Sequence, residues 1–287
     1  MVGLVTAPER RAGRGRKPAP NPLAELADAR GIPVLRPESA RDAEFQRAFA
    51  DWSPDLGVVV AYGQILDDAL LAIPAHGCVN LHGSLLPRWR GASPVQAALL
   101  AGDARTGVSV QKVVRELDAG AVLADAAVDV EAREEAPALT ARLAALGAEL
   151  LDGFLREVGD GPLPAGAEQD AALVTHCRKV KKVDGALDWA RPAAEVDRLV
   201  RAMAGWPCAQ TALPDGDGLR VHRGDPVADA PADAAPGTVL GVDDGLLVQC
   251  GAGAFRVTEL QRDGRGRMAA EEFLRGSALA VGEVLGA

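Results

Sequence analysis

Residues 77–96 read GCVNLHGSLLPRWRGASPVQ, and this stretch decides the fold. The run Val79–His82 predicts a short β-strand, and Gly83–Arg90 predicts a turn that leaves the sheet. Pro94–Ala101 predicts a helix with proline in its first turn, and Ser93 before it is a candidate cap. A strand followed by a loop and a helix is the repeating unit of an α/β domain.

The same alternation continues on both sides of this stretch. Apolar runs of strand length and segments with helical spacing follow one another through the first half of the chain. The further predicted strands are Val2–Thr6, Val34–Leu35, Leu56–Ala61 and Val108–Val114, and the further helices are Leu23–Arg30, Ala43–Trp52 and Leu139–Val158. We therefore expect residues 1–158 to form a doubly wound, mainly parallel α/β domain resembling a Rossmann fold.

The pattern changes after residues 159–176, GDGPLPAGAEQDAALVTH, whose glycines and prolines predict a linker. Beyond it, a helix is predicted over Ala193–Ala204. Short strands separated by Gly, Asp and Pro turns are predicted at Gln210–Leu213, Gly218–His222, Gly237–Val242, Gly245–Cys250 and Ala254–Leu260. This spacing is typical of a small β-barrel or sandwich, so residues 177–287 are expected to form a second, OB-like domain.

Composition limits the class of protein. The 287 residues are 48% apolar and 25% charged, which favours a folded chain of two domains over disorder. No apolar run approaches the ~18–20 residues of a membrane helix. The net charge of −9 argues against indiscriminate nucleic-acid binding. The cysteines (Cys78, Cys177, Cys208 and Cys250) form no C-x-x-C pair, so we expect a cytoplasmic protein without disulfides or metal.

Three polar residues are candidates for chemistry. Asn80 and His82 lie two residues apart on the predicted strand, so they project from the same face near its carboxyl end. Ligands of open α/β sheets bind at that end. Asp118 lies in the predicted turn 117–120, where it is either an Asx-type turn residue or a carboxylate that reaches the imidazole. From these residues alone both interpretations stay open.

Two basic clusters interrupt the acidic chain. Residues 9–17, ERRAGRGRK, hold five basic residues and one acid, and Arg14, Arg16 and Lys17 are candidate contacts to RNA. The second cluster consists of Arg178, Lys179, Lys181 and Lys182. The alternative for each cluster is a solvated surface loop. If the second cluster binds phosphates, affinity should fall steeply with salt despite the negative total.

Four motifs together resemble the 10-formyltetrahydrofolate-dependent formyltransferases. They are Asn80–His82 (NLH), Ser84–Pro87 (SLLP), Arg90–Ala92 (RGA) and Leu117–Gly120 (LDAG), and the separation of 38 between Asn80 and Asp118 matches that family's active site. Three further segments resemble the branch of the family that formylates methionyl-tRNA. These are Ala12–Lys17, similar to a tRNA-contacting loop, Val60–Leu66, similar to a folate-side segment, and Lys182–Trp189, similar to the entry of the C-terminal domain.

The resemblance implies substrates and roles. It implies 10-formyltetrahydrofolate as co-substrate, the α-amine of initiator methionyl-tRNA as acceptor, no metal, and a monomer. Asn80 would donate to the formyl oxygen, His82 would stabilise the oxyanion or relay a proton, and Asp118 would orient His82. The folate pocket would be lined by Ser84, Leu85, Leu86, Pro87 and the backbone of Gln64, Ile65 and Leu66. Which group acts as general base stays open.

Other functions compete with this one. A relative could use the same folate chemistry on a small amine, such as an amino-sugar nucleotide or glycinamide ribonucleotide. A non-enzymatic RNA-binding module would leave Asn80, His82 and Asp118 with structural roles. A zinc hydrolase could use Cys78 and His82, but no second ligand pair accompanies them. A serine hydrolase would need a Gly-x-Ser-x-Gly turn, which is missing from the sequence.

The start of the chain departs from the family pattern. Relatives open with a strand, a Gly-Thr-Pro loop and a helix, about 25–30 residues that would precede Met1, and such a first strand usually lies mid-sheet. We therefore expect Met1 to be a mis-assigned start, or the gene to be truncated. Strands beside the missing one would lose ladder hydrogen bonds, and we expect poor solubility and weak activity of the 287-residue product.

Overall fold

The computed structural model describes residues 1–8, 11–12, 17–18, 21–230 and 233–286. Its α-helices are Pro22–Ala29 (α1), Ala43–Asp51 (α2), Asp68–Leu71 (α3), Pro94–Ala101 (α4), Ala136–Val158 (α5), Ala193–Ala202 (α6) and Ala270–Arg275 (α7). Short 3₁₀ helices cover Ala171–Leu173 and Lys182–Gly185.

The strands of the first half are Leu4–Val5 (β1), Arg11–Ala12 (β2), Lys17–Pro18 (β3), Val34–Leu35 (β4), Gly57–Val60 (β5), Cys78–His82 (β6), Arg90–Gly91 (β7), Arg105–Lys112 (β8) and Val122–Asp129 (β9). Those of the second half are His176–Cys177 (β10), Ala209–Ala212 (β11), Gly218–Val227 (β12), Val239–Gly241 (β13), Leu246–Gln249 (β14), Ala254–Arg262 (β15) and Met268–Ala269 (β16).

The chain separates into two compact units. The first comprises Met1–Arg90, Gly107–Ala126 and Leu146–Thr175, and the second comprises Gly91–Thr106, Ala127–Ala145 and His176–Ala287. The predicted domain boundaries at residues 158 and 177 remain predictions, because each compact unit consists of three separate segments of the chain.

A four-stranded sheet in the order β5-β6-β8-β9 forms the centre of the first unit. β5 and β6 run parallel, with Val60 opposite Leu81, whereas β6 and β8 run antiparallel, with Asn80 opposite Gln111. The expected α/β class is confirmed, and the sheet is mixed, with both a parallel and an antiparallel pair. The reason is that the chain returns from α4 into the sheet at the end where β6 finishes, so β8 runs back along β6.

β1 and β4 form a separate two-stranded parallel sheet, with Leu4 opposite Val34. In the four-stranded sheet, β5 pairs with β6 on one side and is the terminal strand of the order. Val58 and Val60 on β5 are 43% and 53% exposed. Apolar side chains of this strand are thus less covered than those of β6, where Val79 is fully buried.

Two small apolar clusters support the first unit. Val79 and Val110 meet across β6 and β8 and pack with Phe154 from α5. The second cluster is centred on Ala40, Phe45 and Leu70. α2 begins where Asp42 accepts hydrogen bonds from the Glu44 and Phe45 amides, which satisfies donors that the helix start leaves open.

The second unit contains the predicted β domain. Its antiparallel sheet has the order β11-β12-β15-β14-β13, and β16 pairs with β15. The inner faces of these strands and of α6 form one core, in which Phe255 is completely buried. Gly224 lies opposite Val257 on the neighbouring strand, and a Cβ there would come within 2.4 Å of the Phe255 ring, so glycine is required.

Several details differ from the sequence-based expectations. β12 continues to Val227, five residues beyond the predicted end, because register shifts around Arg223 let it follow β15 further. β9 and α7 were not predicted. Ser93 does not cap α4 with its side chain; its hydroxyl instead accepts a hydrogen bond from the Val180 amide at 3.1 Å.

The segment predicted as a linker has structure of its own. Residues 171–173 form a 3₁₀ turn that Asp170 caps by accepting from the Ala172 amide. Ala167 exchanges two backbone hydrogen bonds of 2.8 Å with Val122. Across the part of the chain that the structure describes, no helix combines the length and apolar character that crossing a bilayer requires.

The buried Phe255 ring gives the first prediction. Phe255→Ala should lower the free energy of unfolding by about 3–5 kcal/mol, because removing a fully enclosed ring leaves a cavity. Denaturant unfolding followed by circular dichroism measures this change. Val281→Ala, at a side chain 61% exposed, is the control and should stay within about 0.5 kcal/mol. Equal small effects of both variants would contradict the assigned core.

Candidate active site

Asn80 and His82 occupy one face of β6 at its carboxyl end, as the alternation of a strand requires. Asn80 is half-buried, whereas the His82 side chain is only 6% exposed. The antiparallel register places Gln111 opposite Asn80 and Ser109 opposite His82. Because cross-strand partners share a face, four polar side chains converge at this end of the sheet.

Asp118 reaches these residues from the turn after β8. The turn folds back tightly, and a Cβ on Gly120 would lie 1.9 Å from the Lys112 carbonyl, so this position requires glycine. Asp118 has φ of 51°, in the left-handed region. Its Oδ2 lies 3.7 Å from His82 Nδ1, and Asn80 Nδ2 donates to its Oδ1 at 3.5 Å. The structure thus brings the three predicted residues together.

The second ring nitrogen of His82 also has an oxygen partner. His82 Nε2 lies 2.9 Å from the Trp89 carbonyl, which can only accept a hydrogen bond, so Nε2 carries the proton. That assignment leaves Nδ1 as the nitrogen that can take up a further proton beside the Asp118 carboxylate. The arrangement is suited to receiving a proton and stabilising the resulting charge.

Gln111 is a site residue that the sequence reasoning missed. Its side chain is 2% exposed, and Nε2 donates to Asp118 Oδ1 at 2.9 Å. With Oδ1 held by Gln111, the other oxygen, Oδ2, is left to face His82. The sequence shows a glutamine seven residues before the aspartate, but only the β6–β8 register shows that it faces Asn80.

Two serines, Ser84 and Ser109, hold the loop after β6 by hydrogen bonds to its backbone. Ser84 is completely buried, and its hydroxyl donates to the Arg88 carbonyl at 2.5 Å. Ser109 donates to the Ser84 carbonyl at 2.9 Å and accepts from the Leu86 amide at 3.1 Å. The Ser84 side chain therefore shapes the loop from within, while Leu85, Leu86 and Pro87 are half-buried.

The other predicted folate segment follows β5. Because β5 and β6 are parallel and Val60 pairs with Leu81, residues 61–66 leave the sheet at the same end as His82. The Gln64 side chain accepts from the Ala40 amide at 2.7 Å, and Leu66 packs against the Phe45 cluster. Ile65 is 71% exposed, so its side chain is the available apolar surface of this segment.

The predicted RNA contacts divide into three cases. Arg14 and Arg16 lie outside the described residues, and for Lys17 only the backbone, in β3, is described. Arg178 is engaged within the protein, where its two terminal nitrogens, Nη1 and Nη2, donate to the Asp184 carboxylate. Lys179, Lys181 and Lys182 are exposed, and none of them takes part in an ion pair with another described residue.

Neither a metal nor a reactive thiol is indicated around His82. Within the described ranges, no group of three or more His, Cys, Asp or Glu side chains could hold a metal ion. Burial raises the pKa of the Cys78 thiol to about 11, so this residue stays protonated at neutral pH. The geometry supports proton transfer and hydrogen bonding by Asn80, His82 and Asp118.

Comparisons with known proteins identify the family of this chain. Residues 1–153 match the formyl transferase family model, and residues 179–278 match the formyl transferase C-terminal domain. The chain is 44% identical over 277 residues to the methionyl-tRNA formyltransferase of Methylococcus capsulatus, covering 96% of this chain and 89% of that protein. It is 40% identical over 287 residues to that of Geobacter metallireducens, covering 100% and 91%.

Solved structures show the same fold at low identity. A methionyl-tRNA formyltransferase from Clostridium thermocellum aligns with a TM-score of 0.57 and 14% identity, covering 78% of this chain and 93% of that one. HypX from Aquifex aeolicus aligns with a TM-score of 0.66 and 17% identity over 98% of this chain. The chain spans about half of HypX, 48% of its length.

An α/β catalytic domain followed by an antiparallel β domain, both matching formyl transferase models, defines a two-domain transferase of one-carbon groups. Three relatives that are 40–45% identical to this chain, and that it covers over 89–91% of their length, are all methionyl-tRNA formyltransferases. The chain belongs to the methionyl-tRNA formyltransferase family. The predicted fold class, enzyme class and folate co-substrate are thereby confirmed.

The ion pair between Arg178 and Asp184 gives a prediction about pH. The Arg178 guanidinium and the Lys181 amide lower the pKa of the Asp184 carboxyl to about 2, below its ordinary ~3.9. A lowered pKa means that the pair stabilises the turn above pH ~4, and that this contribution is lost as the pH falls towards 2. Carbon-13 NMR of the carboxyl measures the value. Arg178→Ala should return the pKa towards its ordinary range, and an unchanged pKa would contradict the pairing.

Proposed function

We propose that Asn80, His82 and Asp118 carry out the reaction of this family member, the transfer of a formyl group from 10-formyltetrahydrofolate to the α-amine of methionine on initiator tRNA. The observation that carries the proposal is the distance of 3.7 Å between His82 Nδ1 and Asp118 Oδ2, with Asn80 on the same strand face. All three residues belong to the first unit.

The acceptor amine sets the first requirement. An α-amine titrates near pH 7.7–8.0 in peptides, so it must lose a proton before it can attack a carbonyl carbon. The pair formed by His82 Nδ1 and Asp118 Oδ2 takes this proton, directly or through one water. Because Nε2 is already bonded to the Trp89 carbonyl, the proton is held on the side that faces Asp118. When the bond between the formyl carbon and the folate N10 breaks, the proton passes to N10, which leaves as a neutral amine.

Asn80 meets the second requirement, a donor for the carbonyl oxygen of the formyl group. Its amide has two hydrogens, and the one that points to Asp118 makes a long bond of 3.5 Å. The other hydrogen is available to the substrate oxygen. A preorganised donor of this kind typically contributes a few kcal/mol to the transition state.

The co-substrate supplies the formyl group, and two loops at the end of the sheet would hold it. Leu85, Leu86 and Pro87 from the loop after β6 and Ile65 from the segment after β5 present apolar surface for its ring system. Backbone groups of Gln64 and Leu66 complete the pocket, and Ser84 supports it from within the loop.

The tRNA would be bound through basic side chains. Lys179, Lys181 and Lys182 are exposed and without described ion pairs, so they can bind phosphates. Arg178 orders this turn by binding the Asp184 carboxylate, which balances its charge. Arg14, Arg16 and Lys17 form the second proposed contact.

We also propose that the enzyme acts as a monomer in the cytoplasm. Asn80, His82, Asp118 and their hydrogen-bond partners all come from one chain, so no second copy is needed to complete the site. Charged initiator tRNA is available in the cytoplasm, where translation begins.

Single substitutions test the catalytic roles. His82→Ala and Asp118→Asn should lower kcat by about 10²–10⁴-fold because proton transfer is lost. Asn80→Ala should lower it by about 10²–10³-fold through loss of the oxygen donor. Formylation of charged initiator tRNA is the assay, and His176→Ala, at an exposed histidine, is the matched control. Full activity of His82→Ala would refute the assignment. Faster transfer to an amino-sugar nucleotide than to tRNA would favour the small-amine alternative.

The lysine cluster is tested by salt dependence. The triple variant Lys179→Ala, Lys181→Ala, Lys182→Ala should weaken tRNA binding and reduce the slope of log Kd against log salt by about 2–3, since each phosphate contact contributes ~0.7–0.9. Filter binding from low to moderate salt measures this slope. The control removes three exposed charges elsewhere, Arg30→Ala, Arg41→Ala and Arg47→Ala, and should keep the slope. Equal effects in both variants would contradict a specific site.

A further inference from the structure

The imidazole of His82 lies between two hydrogen-bond acceptors. The backbone that carries each acceptor is hydrogen-bonded to the same segment, residues 159–176. The Trp89 carbonyl faces Nε2, and the Asp118 carboxylate faces Nδ1. Residues 159–176, which the sequence predicts to be a connection between domains, contact the chain at both of these points through Gln169 and Thr175. These two residues and all their partners described below belong to the first unit.

Gln169 holds the turn that carries Asp118. Its Nε2 donates to the carbonyls of Asp118 and Gly120, each at 2.8 Å, and lies 3.4 Å from Gln111 Oε1, so its two shortest hydrogen bonds hold this turn. Its Oε1 accepts from Nε of Arg90, a side chain only 7% exposed, at 2.9 Å. The amide therefore fixes the backbone on either side of the residue at which φ is positive.

Thr175 holds the loop that carries the Trp89 carbonyl. The Trp89 amide donates to Thr175 Oγ1 at 2.9 Å, and the Arg90 amide donates to the Thr175 carbonyl at 2.9 Å. The Thr175 amide donates to the Pro87 carbonyl at 3.3 Å. Both peptide groups that flank Trp89 are thereby held, and with them the direction of its carbonyl towards His82.

We infer that Gln169 and Thr175 are positioning residues for His82, so that these two residues of the segment 159–176 belong to the scaffold of the site. The inference rests on the proposed function for the identity of the reaction. Its physical basis is the hydrogen-bonding geometry: Gln169 sets the place of the carboxylate, Thr175 sets the place of the carbonyl, and the ring is aligned between them. Neither residue touches the reacting atoms. Displacement of either acceptor by a fraction of an ångström rotates the ring and lowers the rate of proton transfer.

Two pairs of variants test the inference. Thr175→Val keeps the shape but removes the acceptor for the Trp89 amide, whereas Thr175→Ser retains it. Gln169→Met removes the amide from the Asp118 turn, and Glu168→Gln, at the exposed neighbour, is its control. We expect kcat to fall about 10-fold in Thr175→Val and Gln169→Met, with KM for both substrates within about 2-fold. Thr175→Ser and Glu168→Gln should keep kcat within about 2-fold of the parent chain. The inference would be overturned if kcat were unchanged in Thr175→Val and Gln169→Met, or if KM rose in them by as much as kcat fell.

A double-variant cycle distinguishes action through Asp118 from general damage. If Gln169 acts by placing the carboxylate, Gln169→Met should cost little further activity in a chain that already carries Asp118→Asn. Losses that multiply would show that Gln169 acts elsewhere and would refute the inference.

A spectroscopic measurement separates this inference from the proposed reaction. Nitrogen-15 NMR of the His82 ring should show shifted resonances in Gln169→Met and Thr175→Val, and unshifted ones in Glu168→Gln. This result would stand even if the parent chain failed to formylate methionyl-tRNA, a failure that would contradict the proposed function alone. Unshifted ring resonances in both variants would contradict the positioning roles whatever the activity.

Discussion

The placement of one imidazole ring between two oxygen acceptors is the constraint on which the rest of the site depends. His82 can align with Trp89 and Asp118 only while three stretches of backbone keep their relative positions: the end of β6, the loop that follows it, and the turn after β8. A lone side chain at a strand end would rotate freely. Here the ring is 94% covered and bonded at Nε2, so its remaining nitrogen has a defined direction.

The antiparallel pairing of β6 with β8 supplies the frame for this ring. Ser109 and Gln111 lie two residues apart on β8, so they share a face. Ser109 is opposite His82, and Gln111 is opposite Asn80. Ser109 binds the loop after β6, and Gln111 binds the carboxylate that comes from the turn after β8. One strand thus orients groups on both sides of the histidine. The side chains proposed to carry the reaction and the residues that support them lie on the same short stretch of sheet, so their spacing is closely fixed.

The three residues proposed to carry the reaction, Asn80, His82 and Asp118, could be named from the sequence, but the residues that support them could not. Asn80 and His82 share a face because of strand alternation, which is a local property, and the LDAG turn identified Asp118 through the family resemblance. Gln111 was missed because its role follows from strand register, which residue types alone do not specify. Gln169 and Thr175 were missed because glycines and prolines around them predicted a featureless connection, while their contacts lie 51 and 86 residues away in the chain. The antiparallel direction of β8 was not predicted for a similar reason, since local patterns do not reveal strand direction.

The backbone of Asp118 carries a last consequence. A side chain with a Cβ is disfavoured at φ of 51°, and glycine would relieve the conformational cost there. That replacement would also remove the carboxylate that faces the histidine. Methods that improve thermostability by choosing residues with better backbone preferences would therefore select against the carboxylate at this position. An engineer who seeks a hardier enzyme should leave this residue alone and look for gains in regions remote from the turn.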